Sequence, residues 1–174
     1  GWPGRESGRN DHLWRVRPGR SVDATIWLHD RECGRCRRRR AAVAHIVMLR
    51  LAINGYGRIG RSILRALYES PLRKELVVVA INELADAGTV LHLTRYDSTH
   101  GRFPLPLEGD AKALRVDGDA IVLLNHSQID ELPWTELAVD MVLECTGAFS
   151  DRATAEKHLR RGAGKVLFSQ PAQA

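Results

Sequence analysis

Gly55, Gly57 and Gly60 stand at G-x-G-x-x-G spacing, directly after the apolar run Leu49–Asn54 and ahead of a helical pattern. In that context the spacing suits a dinucleotide pyrophosphate. Gly55 permits the tight turn, Gly57 lets the backbone approach phosphate oxygens, and Gly60 lets the helix pack closely on the sheet. The helix start supplies free N–H groups and a partial positive charge. Arg58 and Arg61 add full charges beside it. The plain alternative is a glycine-rich turn with no ligand.

A second marker is an acid. Glu83 follows Gly55 by 28 residues, at the end of the next apolar run, and Asn82 before it and Asn54 before Gly55 are counted with these residues as cofactor-binding. A carboxylate there accepts hydrogen bonds from the adenosine ribose and repels a 2′-phosphate, which favours NAD over NADP. The alternative is a solvated loop acid. A third stretch, Glu144-Cys-Thr-Gly-Ala-Phe149, ends an apolar strand at the sheet edge where such folds bind ligands. Thr146 and Gly147 are therefore candidates to line the cofactor, and the last strand delivers Ser169 to the same edge.

The cysteines offer less. Cys33-Gly-Arg-Cys36 has the spacing of half a zinc site, but no second pair follows at finger-like spacing. Three cysteines in a chain with no secretory signal argue against a disulfide framework. Cys145 ends an apolar run and reads as a small buried residue. No metal site and no catalytic residue is assigned.

The elements that position these residues follow from apolar periodicity. Leu49–Asn54 reads as a buried strand, Ile59–Glu69 as a helix stopped by Pro71, and Leu76–Ile81 as a strand covered on both faces. Asp86–Arg95 reads as a helix, with Tyr96–Phe103 as a loop. Ala113–Val116 and Ala120–Leu124 flank Asp117-Gly118, a strong hairpin signal. Val139–Glu144 reads as a strand, Asp151–Arg161 as a helix ending at Gly162, and Lys165–Phe168 as a last strand. The sum is an α/β, Rossmann-like, doubly wound and mostly parallel sheet with right-handed crossovers.

Charge divides the chain in two. Residues 1–47 hold 11 Arg, no Lys and 5 acids, whereas residues 48–174 hold 15 bases and 16 acids. The second part is a nearly neutral domain with no basic face to suggest nucleic acid. In residues 1–47, Trp2, Trp14 and Trp27 are isolated among Arg, Gly and Pro, and Arg37–Arg40 repel one another. Those residues read as a disordered or mistranslated leader, with Met48 as the natural start. The alternative is an Arg-rich arm that binds nucleic acid or an acidic surface. No apolar run approaches the ~20 residues needed to span a bilayer, and a cytoplasmic protein is the expectation.

Asn54-Gly-Tyr-Gly-Arg-Ile-Gly-Arg61 resembles the opening of the phosphorylating glyceraldehyde-3-phosphate dehydrogenase family. Val79-Ala-Ile-Asn-Glu83, Tyr96-Asp-Ser-Thr-His-Gly-Arg102 and Glu144-Cys-Thr-Gly147 carry the same resemblance. Glu83 in place of the more usual Asp is similar to the erythrose-4-phosphate dehydrogenase branch. So are Ala66–Ser70, Asn82–Asp86, Leu132-Pro-Trp134 and Val166–Ser169. The resemblance implies NAD-dependent oxidation of a phosphorylated aldehyde, attacked by a cysteine thiolate with a histidine as base. In the branch it resembles, the product feeds pyridoxine and pyridoxal phosphate synthesis.

Residue by residue, the resemblance gives Arg58 and Ile59 to the pyrophosphate and Glu83 to the ribose. Thr146 and Gly147 flank the adenine side, and Ser169 lies near the nicotinamide amide. Where the branch often has an Arg before Leu-Pro-Trp, this sequence reads His126-Ser127-Gln128. The family's Ser-Asn-Ala-Ser-Cys-Thr-Thr type of segment does not occur in these 174 residues. The expectation is an NAD-binding domain, residues 48–174, that oxidises no aldehyde by itself. The phosphorylated aldehyde and the family's homotetramer then belong to a longer protein. A stand-alone nucleotide-binding module is the competing reading.

Overall fold

A computed structural model of the chain describes residues 48–171. The Arg-rich leader, with Cys33 and Cys36, lies outside the described residues.

The chain runs through β1 (Leu49–Asn54), α1 (Arg58–Tyr68), β2 (Leu76–Asn82), α2 (Ala87–Arg95), β3 (Tyr96–Asp97) and β4 (Gly101–Arg102). It continues through β5 (Leu107–Gly109), β6 (Ala113–Val116), β7 (Asp119–Leu124), β8 (Met141–Glu144), α3 (Arg152–Arg160) and β9 (Lys165–Phe168). Seven strands form one sheet in the order β5-β6-β7-β2-β1-β8-β9. The five from β7 to β9 are mutually parallel, and β5, β6 and β7 pair antiparallel at one edge. The Rossmann-like, mostly parallel sheet is thus observed.

Successive residues of β1 explain the layering, because strand side chains alternate between faces. Leu51 and Ile53 pack on one side with Leu64, Leu67 and Tyr68 of α1 and Val90 of α2. Ala52 packs on the other with Trp134, Val142 and Ala163, the side where α3 brings His158 against Trp134. Residues of β2 reach both cores: Val78 and Ile81 join the first, Val79 and Ala80 the second. Burial on both faces is what the continuous β-branched run of β2 requires.

The expected Asp117-Gly118 hairpin forms, with both residues at positive φ (50° and 91°) as a tight hairpin turn needs. Three other features were not readable from periodicity. A third strand, β5, pairs with the hairpin. The expected loop Tyr96–Phe103 contains the two-residue ladder β3–β4. Finally, β8 starts at Met141 rather than Val139. Ala138 takes φ 48°, and the Val139 N–H turns back to Trp134 O at 3.0 Å, so these residues form a turn before the strand.

Candidate functional site

Register brings three polar strand ends into one row. Asn54 at the end of β1 pairs with Asn82 of β2 on one side and with Glu144 of β8 on the other. The chain leaves β1 for β2 on one side and later returns to β8 on the opposite side. That reversal opens a crevice at the carboxyl ends of the strands. A cleft of about 390 Å³ lies there.

Six of the residues named from sequence line it: Asn54, Gly55, Gly57, Asn82, Glu83 and Thr146. The others lie around it. Arg58 and Ile59 are exposed on the first turn of α1. Gly60 is buried beneath Gly55, and Gly147 is exposed with φ 73°. The Ser169 N–H donates to Glu144 O at 2.9 Å. Among the described residues its hydroxyl is buried without an oxygen or nitrogen partner, against Cys145.

The glycines behave as their spacing demands. A Cβ on Gly55 (φ 88°) would stand 2.6 Å from the Thr146 backbone, and one on Gly60 would stand 2.5 Å from Gly55 O. A Cβ on Gly57 would meet nothing within 4 Å, because it would project into open space at the cleft. α1 starts immediately after Gly57 with no side-chain cap and no acid in its first turn. Among the described residues, its first N–H groups, which have no intrahelical acceptor, are thus left without a side-chain partner.

Tyr56 fixes this loop from beneath. Its ring is buried, and its hydroxyl lies 3.0 Å from Thr94 Oγ1. The Thr94 hydroxyl donates to Val90 O at 2.7 Å, so it accepts from Tyr56. Glu83 fixes the loop from the rim. Its Oε2 accepts the Tyr56 N–H at 2.8 Å, and its Oε1 accepts the N–H groups of Leu84 (2.8 Å) and Ala85 (3.2 Å). A carboxylate offers about four acceptor positions, so one remains for a ligand hydroxyl.

Beneath the cleft floor, Glu144 is fully buried. Its Oε2 accepts from Asn54 Nδ2 at 2.6 Å and from His158 Nε2 at 3.1 Å. Its Oε1 accepts from the Thr146 backbone N–H at 2.9 Å and from the Thr146 hydroxyl. Burial opposes its charge, but the bonds from His158, Thr146 and Asn54 outweigh burial and hold its carboxyl below the ordinary value. The Cys145 thiol behaves oppositely: burial pushes it up, with Ser169 opposing and Glu144 reinforcing.

Sequence reasoning did not assign Leu84, Ile129, Leu132 and Phe149 to the site, although they supply its apolar wall. Leu84, Leu132 and Phe149 fall inside stretches singled out above, but none received a role, since an apolar residue reads the same in a cleft as in a core. His126 and Ser127 also line the cleft, where the resemblance has an Arg.

The sequence model described as "Glyceraldehyde 3-phosphate dehydrogenase, NAD binding domain" matches residues 49–152, more than half of the chain. The chain belongs to the glyceraldehyde 3-phosphate dehydrogenase family. Its cofactor is NAD, which when bound supplies a hydride acceptor. The residues of this family member fit that group. Space is open over Gly57, the α1 start carries no acid, and the cleft is of ligand size with an apolar wall. No helix among the described residues is long and apolar enough to cross a membrane.

Proposed function

We propose that residues 48–174 hold NAD for the oxidation of a phosphorylated aldehyde, with erythrose-4-phosphate as the substrate of the full protein. The observation that carries this reading is the uncapped start of α1, facing a cleft whose rim bears Glu83. The N–H groups of Arg58 and Ile59 receive the pyrophosphate, close to Gly55, Gly57 and Gly60. Glu83 accepts a ribose hydroxyl with its remaining acceptor position. Thr146 and Gly147 border the adenosine, and Ser169 stands towards the nicotinamide. Glu83 and the stretches Ala66–Ser70 and Leu132–Trp134 favour the erythrose-4-phosphate branch over glyceraldehyde-3-phosphate.

The 174-residue polypeptide by itself oxidises neither aldehyde. Among the described residues Cys145 is the cysteine at the cleft, and burial raises its thiol, whereas a nucleophile needs a lowered one. A cytoplasmic location is part of the same proposal, and any longer protein that contains this domain would form the family's homotetramer. Calorimetric titration with NAD and with NADP tests the cofactor assignment. NAD should bind at least about tenfold tighter, as a close like-charge pair predicts. Equal affinities would refute the role of Glu83. Reduction of NAD above an enzyme-free blank with either aldehyde would refute the inactivity.

A further inference from the structure

Four lines of hydrogen bonds meet at Glu144, and each starts from a group that can only donate. The His126 N–H donates to Asn82 Oδ1 at 2.9 Å, and Asn82 Nδ2 donates back to His126 O at 2.9 Å. The Asn82 amide is thereby oriented, and its nitrogen also donates to Asn54 Oδ1 at 2.7 Å. Asn54 must then turn its own nitrogen to Glu144. The indole N–H of Trp134 donates to His158 Nδ1 at 2.9 Å. A neutral imidazole accepting at one nitrogen carries its proton on the other, so His158 donates from Nε2 to Glu144. The Ala148 N–H donates to the Thr146 hydroxyl at 3.2 Å, which sends the hydroxyl proton to Glu144. The Thr146 N–H is the fourth line.

We propose that Glu144 is a positioning residue of the NAD site, an acceptor-only hub that sets both walls of the cleft at once. The proposal rests on the NAD assignment above. Through Asn54, Glu144 fixes the start of the phosphate loop, and through Asn82 it fixes the backbone at His126 on one wall. Through Thr146 it fixes the Thr146–Ala148 loop on the other. The amides of Asn54 and Asn82 are engaged inside this network, so those residues shape the floor of the cleft. The only group that satisfies all four lines is an ionised carboxylate. An amide at position 144 sets a donor against at least one donor, and the buried mismatch must be relieved by moving a wall.

The test is a double-mutant cycle on the full chain, read as NAD affinity by calorimetry, with circular dichroism to confirm the fold. Glu144→Gln should weaken NAD on the order of tenfold, and Thr146→Val by several-fold. Both cut the same relay, so the double variant should lose much less than the product of the two losses. Thr146→Ser keeps the relaying hydroxyl and should restore affinity to near wild type. ¹⁵N spectra of the histidine rings should show His158 as the Nε2–H tautomer in the wild type. Wild-type NAD affinity in a folded Glu144→Gln variant would overturn the proposal, as would a strictly multiplicative double variant. If Glu144→Gln does not fold, the Thr146 pair and the histidine spectrum decide. Equal NAD affinities in the Val and Ser variants, or an Nδ1–H His158, would overturn the proposal in that case. A wild-type chain that binds no NAD would overturn the cofactor assignment and the proposal together, so the two failures are distinguishable.

Discussion

Among the described residues, the three α-helices begin in two different ways. α2 and α3 open on Asp86 and Asp151, whose carboxylates accept the N–H groups of Thr89 and Thr154, each at 2.9 Å. Both are Asp-x-x-Thr starts in which the threonine hydroxyl also bonds back to the aspartate. α1 opens on Gly57 with no cap and no acid. A helix start left bare gives up stabilisation that an aspartate would supply. Each capped start satisfies one backbone N–H of its first turn, and the third leaves its N–H groups to the proposed NAD pyrophosphate. On that proposal the difference separates helix ends that serve folding from one that serves binding.

The largest effect should come from making α1 resemble the other two. Gly57→Asp supplies a cap and a negative charge where the pyrophosphate must sit. It should weaken NAD about a hundredfold, equivalent to roughly 3 kcal/mol of like-charge repulsion, while leaving the melting temperature equal or higher. A variant that keeps its NAD affinity would erase the distinction. A smaller effect is expected from Glu83→Gln, which removes the charge set against a 2′-phosphate. The preference for NAD over NADP should fall several-fold in paired titrations, and an unchanged ratio would leave the selectivity unexplained.

The reverse operation should spare binding. Asp86→Ala and Asp151→Ala should each lower the melting temperature by a few degrees and leave NAD affinity within about twofold. A large loss of affinity in either variant would place those helix starts in the site.

Acid should produce the smallest separation. The hydrogen bonds from Thr89 hold the Asp86 carboxyl below its ordinary value, and those from Thr154 do the same for Asp151. A carboxylate lowered in the folded state stabilises it above the unfolded value, and that contribution is lost as pH falls through the folded value. Below the ordinary carboxylate range, about pH 4, amide protection factors, corrected for the intrinsic pH dependence of exchange, should therefore fall in the first turns of α2 and α3. The first turn of α1 has no such group and should show no matching fall.

What could be read from sequence was local. The tasks of Gly55, Gly57 and Gly60 follow from the absence of a side chain, which needs no knowledge of distant partners. Glu83 was legible because the end of a second strand is a fixed place in this fold. Glu144 was visible only as part of a strand end, because its partners Asn54 and His158 lie 90 and 14 residues away. Tyr56 lies between two glycines, and only packing shows its bond to Thr94. The short strands β3, β4 and β5 have too few residues to display a period. Trp134 was legible as part of a family stretch, but its hydrogen bond to His158 depends on where α3 docks.

The central claim is that the bare start of α1 receives the NAD pyrophosphate. The most direct test follows backbone amide resonances of the full chain as NAD is added. The largest shifts should fall on Gly57, Arg58, Ile59 and Gly60, with smaller ones at Glu83 and Thr146 and none at the starts of α2 and α3. Saturable shifts centred on Asp86–Thr89 or Asp151–Thr154, with the Gly57–Gly60 amides unmoved, would contradict it.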